Sequence, residues 1–273
     1  MKLTYLGTAA AEGFPAVFCN CQYCREARAL GGKNIRTRSQ ALINDDLLID
    51  LPADTYHHFL TNGIEGDKIA YLLLTHSHGD HCYVEELSMR HGAFSHDMRA
   101  PMLNVWAGRG AREKIAACHD DRGNVEMHAI APFETHTLGR YTVTALPARH
   151  AAGDEAMFYI IRDGDKTLLY AHDTGYFYEE VFDFIAKEGF VFDTLSMDCT
   201  NVDIPIPNEG GHMGIPNIEA VVARLRELGA VAHDAKIIIN HFSHNAEPIH
   251  HKLEQRVTEQ GYLVSYDGMS IEI

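Results

Sequence analysis

The sequence predicts an α/β (α+β) protein: a sandwich of two β-sheets flanked by helices, in αββα order. Three observations predict it. Short β-rich runs alternate with helical ones along the chain, with no long linker, low-complexity segment or short repeat between them. These runs gather in two halves, each with helices of its own. A length of 273 residues, with 46% hydrophobic and 22% charged residues, suits a globular core and excludes wholesale disorder. Residues 1–273 are read as one domain.

Lys2–Tyr5 reads as a first strand that ends at Gly7. Gln40–Asn44 and Leu47–Asp50 flank Asp45-Asp46 and read as a hairpin. Ile69–Thr75 is a continuous apolar run, as in a strand buried on both faces. Val84–His91 reads as a short helix, Met102–Trp106 as a strand and Ala111–Cys118 as a helix. Tyr141–Leu146 alternates as a strand does. Phe158–Ile161 and Thr167–Tyr170 pair about the hairpin signal Asp163-Gly164. In Glu179–Lys187, the residues Val181, Phe184 and Ile185 have the i, i+3, i+4 spacing of an inward helix face. Thr194–Met197 is a strand. Pro216 opens a helix running to Leu228, with Gly229 as its stop. Lys236–Asn240 is another buried strand, His250–Glu259 a helix, and Tyr262–Ile273 a hairpin about Asp267-Gly268.

Charge narrows the function. With 23 Lys and Arg against 38 Asp and Glu, the net charge of −15 disfavours a broad nucleic-acid platform. It leaves room for a small anionic substrate, because a bound metal reverses the local field. No apolar run reaches the roughly 18 residues that span a bilayer, and residues 1–7 carry no secretory leader, so no membrane partner and a cytoplasmic location are expected. Six Cys are too few for a disulfide scaffold of this length, and 18 His are many.

Position singles out the histidines that matter. Thr75-His76-Ser77-His78-Gly79-Asp80-His81 follows directly on a buried strand and brings three imidazoles and a carboxylate within six positions. His76 and His78, two apart in an extended segment, point the same way and can share one metal. Gly79 lets the chain turn, so that Asp80 and His81 face a second metal. Imidazole nitrogen and carboxylate oxygen suit Zn, Mn or Fe rather than Ca or Mg. A second cluster, Cys19-Asn20-Cys21-Gln22-Tyr23-Cys24, can fill three corners of a tetrahedron. His244, in His241-Phe242-Ser243-His244, is the candidate fourth ligand. Such a closed Cys3His set holds a structural Zn, not a catalytic one. Cys82, Cys118 and Cys199 stand alone and read as small apolar residues.

His76-x-His78-x-Asp80-His81 after an apolar strand resembles the metal-binding motif of the metallo-β-lactamase superfamily. The resemblance runs along the whole chain and implies that superfamily's αββα sandwich. It also implies further ligands at later strand ends: His150, Asp173 and His241. His76, His78 and His150 would hold one metal. Asp80, His81 and His241 would hold the other, and Asp173 would bridge. His172 competes with Asp173, but a bridging carboxylate is what two cations need. Asp50, in Leu48-Ile49-Asp50, would sit behind a ligand histidine and fix its tautomer, although Leu51-Pro52 follow where the superfamily usually has Gly.

The Cys cluster with the C-terminal His-x-x-His narrows the resemblance to the cyclic phosphodiesterases of phosphonate breakdown, which open 5-phosphoribosyl 1,2-cyclic phosphate. Residues Gly7 to Pro15 resemble that group as well. In the group a further His lies between the bridging Asp and the last ligand, and His212 matches its place, though Gly210-Gly211 precede it here. The resemblance implies a binuclear hydrolase in which two divalent metals (Zn, Mn or Fe) activate a bridging water to attack phosphorus, with one structural Zn elsewhere. Asp80 and His212 are the residues expected to serve the reaction itself, His212 as general acid. The expected partner is a small anionic (cyclic) phosphodiester, and a homodimer is left open. Two alternatives keep the metals: hydrolysis of a carbonyl substrate such as a lactone, thioester or β-lactam, and a non-hydrolytic di-iron or metal-dependent binding protein.

Overall fold

A computed structural model describes residues 1–118, 124–150 and 153–273. In chain order the elements are β1 (Lys2–Gly7), α1 (Gln22–Leu30), β2 (Gln40–Ile43), β3 (Leu47–Ile49), α2 (Thr55–Asn62), β4 (Tyr71–Leu74), β5 (Leu103–Ala107), α3 (Arg109–Cys118), β6 (Val125–Ala129) and β7 (Thr135–Leu138). Then follow β8 (Tyr141–Pro147), β9 (Met157–Asp163), β10 (Lys166–Ala171), α4 (Glu179–Glu188), β11 (Phe192–Asp198), α5 (Ile215–Glu227), β12 (Val231–Asn240), α6 (His250–Arg256), β13 (Leu263–Val264) and β14 (Ser270–Glu272).

Two seven-stranded sheets result, ordered β14-β1-β2-β3-β4-β5-β6 and β13-β12-β11-β10-β9-β8-β7. Leu3, Tyr5, Ile43, Leu73, Val143, Tyr159, Leu168 and Ile238 fill the layer between them. On the outer face of the second sheet, α4, α5 and α6 bury Val181, Phe182, Val221, Leu225 and Leu253. On the first, Leu48, Leu72, Val105, Ala111 and Ile115 form the corresponding layer. The predicted sandwich is therefore present. β10, β11 and β12 run parallel, and β8 joins them through antiparallel β9. Their carboxyl ends all open on one edge, which is where ligands collect in such sheets.

Several elements depart from expectation. Tyr262–Ile273 is not a hairpin: β13 pairs with β12 in the second sheet, whereas β14 pairs with β1 in the first. The intervening turn is held across the sandwich by Asp267, whose carboxylate accepts from the Thr37 amide at 2.6 Å and the Thr8 hydroxyl at 2.6 Å. The short helix expected at Val84–His91 is present, wound as a 3-10 helix over Val84–Arg90. In α4 the inner place falls to Phe182, with Phe184 only partly buried. The side chain of Cys118 lies outside the described residues, whereas Cys82 and Cys199 are buried among apolar groups.

Candidate metal centre

The strand β4 ends at Leu74, and His76, His78, Asp80 and His81 follow in the turn beyond it. The turn is gripped from outside. Asp154 accepts the Ser77 amide at 2.7 Å, and Lys114 donates to the Ser77 carbonyl at 2.7 Å. His76 and His78 lie with ring centroids 4.5 Å apart, and His150, just past β8, meets them at 4.8 and 5.1 Å. His150 sets its Nδ1 3.2 Å from the Gly211 carbonyl, which leaves Nε2 for the site. His76, His78 and His150 are thus one group of three donors.

Asp80, His81 and His241 form a second group. Asp173 lies between the two. Its Oδ2 is 3.1 Å from His81 Nε2 and 3.0 Å from His241 Nε2, and its Oδ1 faces His150 Nε2 at 3.7 Å. Asp173 and His241 both adopt left-handed backbone angles, φ 50° and 65°, that turn each side chain inward directly after a strand. His172 points the other way, into the core, where its Nε2 meets the Ser196 hydroxyl at 2.7 Å. Asp50 stands behind His81, with Oδ2 at 2.7 Å from His81 Nδ1 and Oδ1 accepting the Thr75 amide at 2.8 Å. That contact fixes Nδ1 as the protonated nitrogen of His81 and presents Nε2 to the centre.

His212 reaches the same space from the loop before α5. Its ring stacks on His241 at 5.6 Å and meets His150 at 4.8 Å. Its Nδ1 is 3.0 Å from Asp198 Oδ2 and 3.2 Å from the Thr200 hydroxyl. Sequence reasoning missed Asp198. It ends β11 as Asp173 follows β10, so the strand-end rule applied to Asp173 would have found it. Asp198 also accepts the amides of Asp173, Thr200 and Met213 at 3.1, 3.1 and 3.0 Å, which makes it the post that several parts of the site share.

The charges have identifiable causes. Burial pushes His76 well below the usual imidazole range, and the cationic forms of its neighbours push the same way. Burial also works against a charge on His81, but Asp173 and Asp50 outweigh it and hold that imidazole well above its ordinary value. For His212 burial is likewise outweighed, by the Asp198 carboxylate, which lifts it to about 9. Burial would raise Asp80 and Asp173, yet the surrounding imidazoles keep both below the carboxylate range.

These residues fit divalent metal. His76 Nε2, His81 Nε2, His241 Nε2 and Asp173 Oδ2 are all buried and have no hydrogen-bond partner among the described residues. Each such group costs about 1–3 kcal/mol if left unpaired. All four converge on one volume that draws positive charge, and cations bound there would satisfy them together.

The cysteine cluster also assembles. Cys19, Cys21, Cys24 and His244 bring their donor atoms within 4.8 Å of one another. Cys21 caps α1 by accepting the Cys24 amide at 3.4 Å. Its Sγ lies 3.7 Å from His244 Nδ1, and that contact lowers the thiol to about 6. Burial raises Cys24 to about 11. A zinc ion would hold all three sulfurs as thiolates despite that burial. Cys21→Ser is expected to release one equivalent of zinc and to lower the melting temperature by several degrees, while the metals of the His/Asp centre stay bound. Elemental analysis of the purified variant beside a thermal melt checks this. Loss of the His/Asp metals with an unchanged melt would contradict it.

A two-sheet sandwich that gathers imidazoles and carboxylates at the carboxyl ends of its strands defines a metal-dependent hydrolase scaffold. A sequence profile of the beta-lactamase superfamily domain matches residues 48–242. The chain belongs to that superfamily and is a metal-binding protein of the metallo-β-lactamase hydrolase fold. Coenzyme PQQ synthesis protein B of Klebsiella pneumoniae (strain 342) is 26% identical over 310 aligned positions, covering 100% of this chain and 98% of that protein. Among solved structures, a diphosphatase from the PhnP family superposes with a TM-score of 0.74 at 22% identity, covering 100% of this chain and 97% of that one. Zn(2+)-bound PqqB from Methylobacterium extorquens superposes with a TM-score of 0.72 at 20% identity and 100% coverage of both chains. At these identities the two structures speak for the fold.

Proposed function

We propose that the protein hydrolyses a small, anionic phosphodiester, cyclic esters included, with His76, His78 and His150 holding one divalent metal, Asp80, His81 and His241 the other, and Asp173 shared. The observation that carries this reading is the Asp198–His212 pair set against the donor cluster. Two divalent ions supply an activated water and neutralise charge on the phosphoryl oxygens. The chain's own residues do the rest. Asp198 keeps the His212 proton on Nδ1 and supports the imidazolium form, from which Nε2 can donate. That proton passes to the departing alkoxide as the P–O bond breaks. The stacking of His212 on His241 keeps the acid beside the reacting phosphorus. An alkoxide leaving group needs such a proton, which is why an imidazolium supported by Asp198 suits a phosphodiester.

Assays on the metal-reconstituted protein test the reading. The panel compares a ribosyl 1,2-cyclic phosphate, a 2′,3′-cyclic nucleotide, bis-p-nitrophenyl phosphate, nitrocefin, a lactone and a glutathione thioester. Turnover confined to the phosphate esters is expected, and preference for a carbonyl substrate would overturn it. A second reading is favoured by the full-length alignment with Coenzyme PQQ synthesis protein B: the same centre would serve a step in coenzyme PQQ synthesis. No turnover on the panel, together with rescue of a strain lacking that protein, would select it.

A further inference from the structure

We infer that Gln40, oriented by His58, is a positioning residue for the Asp80–His81–His241 metal site, acting through the backbone of Asp50. The inference rests on the ligand reading above and extends it to a layer that touches no metal and no substrate.

The geometry runs inward link by link. Asp50 is fully buried and has a left-handed backbone, φ 64°, which few residues other than Gly adopt. In that conformation its carboxylate reaches both His81 and Thr75. Something must hold it there. On the backbone side, the Asp50 amide donates to the Leu73 carbonyl at 2.8 Å, and the Asp50 carbonyl accepts from Gln40 Nε2 at 2.9 Å. The same Nε2 donates to the Thr55 hydroxyl at 3.0 Å, and that hydroxyl donates to the Pro52 carbonyl at 2.7 Å. Gln40 therefore ties Asp50 to the Leu51–Pro52 corner that follows it.

The amide of Gln40 has only one orientation that works. Its Oε1 is 2.6 Å from His58 Nδ1, so that nitrogen carries a proton and donates. A flipped amide would set Oε1 against the Asp50 carbonyl oxygen, two acceptors facing each other. His58 is itself buried, and its Nε2 is 2.6 Å from the Thr37 hydroxyl, which lies 2.6 Å from Asp267 Oδ2. Burial pushes His58 down to about 4, which favours its neutral form with the proton on Nδ1, and it also pushes the Asp267 carboxyl upward. The chain Asp267–Thr37–His58–Gln40–Asp50 thus links the turn between the two C-terminal strands to one metal ligand. Its direct contact is with His81, whereas toward the other donor group the Asp50 carboxylate reaches only the Thr75 hydroxyl, which lies 3.0 Å from His76 Nδ1, so a loss concentrated at the His81 site is what separates positioning from general stability.

Calorimetric titration of metal-stripped protein with Zn tests this, using wild type, Gln40→Met, Asp50→Asn and the double variant. Wild type is expected to take up two equivalents at the His/Asp centre and one at the cysteines. Replacing a carboxylate that touches a ligand weakens metal binding about 10–100-fold, and Gln40→Met, one step further out, is expected to weaken one equivalent roughly 5–10-fold. The cysteine equivalent should not change. In the Asp50→Asn background Gln40→Met should add nothing, because its effect passes through that carboxylate. Should Gln40→Met fail to fold, Thr37→Val breaks the chain one link further out and takes its place in the same comparison. Unchanged affinities, equal losses at all sites, or full additivity with Asp50→Asn would overturn the inference. A wild type that takes up fewer than two equivalents at the His/Asp centre would instead overturn the ligand reading, and with it this extension.

Discussion

Asp173→Ala is expected to lower kcat/KM by on the order of 10³-fold or more and to leave the His/Asp centre short of at least one metal. The reason lies in where the two carboxylate oxygens go. Oδ2 faces His81 and His241, Oδ1 faces His150, and no other described residue touches ligands of both donor groups through a carboxylate. Removing it would leave several imidazoles crowded at 4.4–5.7 Å without the carboxylate charge that would offset bound cations. A metal ion contributes several kcal/mol of transition-state stabilisation, and each 1.36 kcal/mol is tenfold in rate, so a loss of about 10³-fold follows. Metal analysis and steady-state kinetics on the same sample measure both effects. A variant with full metal content and full activity would remove Asp173 from the centre.

His212→Ala is expected to cost on the order of 10²-fold more with an alkyl or ribosyl cyclic phosphate than with a p-nitrophenyl diester. The asymmetry is chemical. A p-nitrophenolate leaves without help, whereas on the proposed reading an alkoxide would take a proton from Nε2 as the bond to phosphorus breaks. Metal content should stay at the wild-type level, because the His212 Nδ1 is engaged with Asp198 and the proposed ligand sets omit it. Equal losses on both substrates would make His212 a binding residue only, and no loss on either would make it a bystander in its loop.

How much of this was legible beforehand depends on how local each feature is. His76, His78, Asp80 and His81 sit within one turn, so their convergence follows from chain geometry alone. The three cysteines are equally close in sequence, and His244 shares a short segment with His241. Asp198 escaped because its meaning comes from His212, on the loop between β11 and α5 that folds back onto it. The helix α2 escaped for a different reason: its buried residues are Thr55 and His58, and polar residues leave no apolar period to read. Strands β6 and β7 lie at the sheet edges with side chains that are half-buried or exposed apart from Leu138, so they lack the apolar alternation that marked β8. The C-terminal segment was misread because Asp267-Gly268 looks like a hairpin turn. Its geometry is set instead by Thr8 and Thr37 on the opposite side of the chain.

The division of β13 and β14 between the two sheets has a kinetic consequence. The Thr4 and Ser270 hydroxyls meet at 2.9 Å across a separation of 266 residues, and the Ile273 amide donates to the Met1 carbonyl at 2.8 Å. Closing so long a loop costs entropy that is recovered only once the intervening layers are packed. The hairpin of β9 and β10 closes over a turn at Asp163 and can form early. The pairing of β14 with β1 belongs at the other end of the folding reaction, as a latch set last. Because Asp267 leads from that latch through Thr37 and His58 toward Asp50, one metal site would reach its final shape only when the two ends of the sandwich have met.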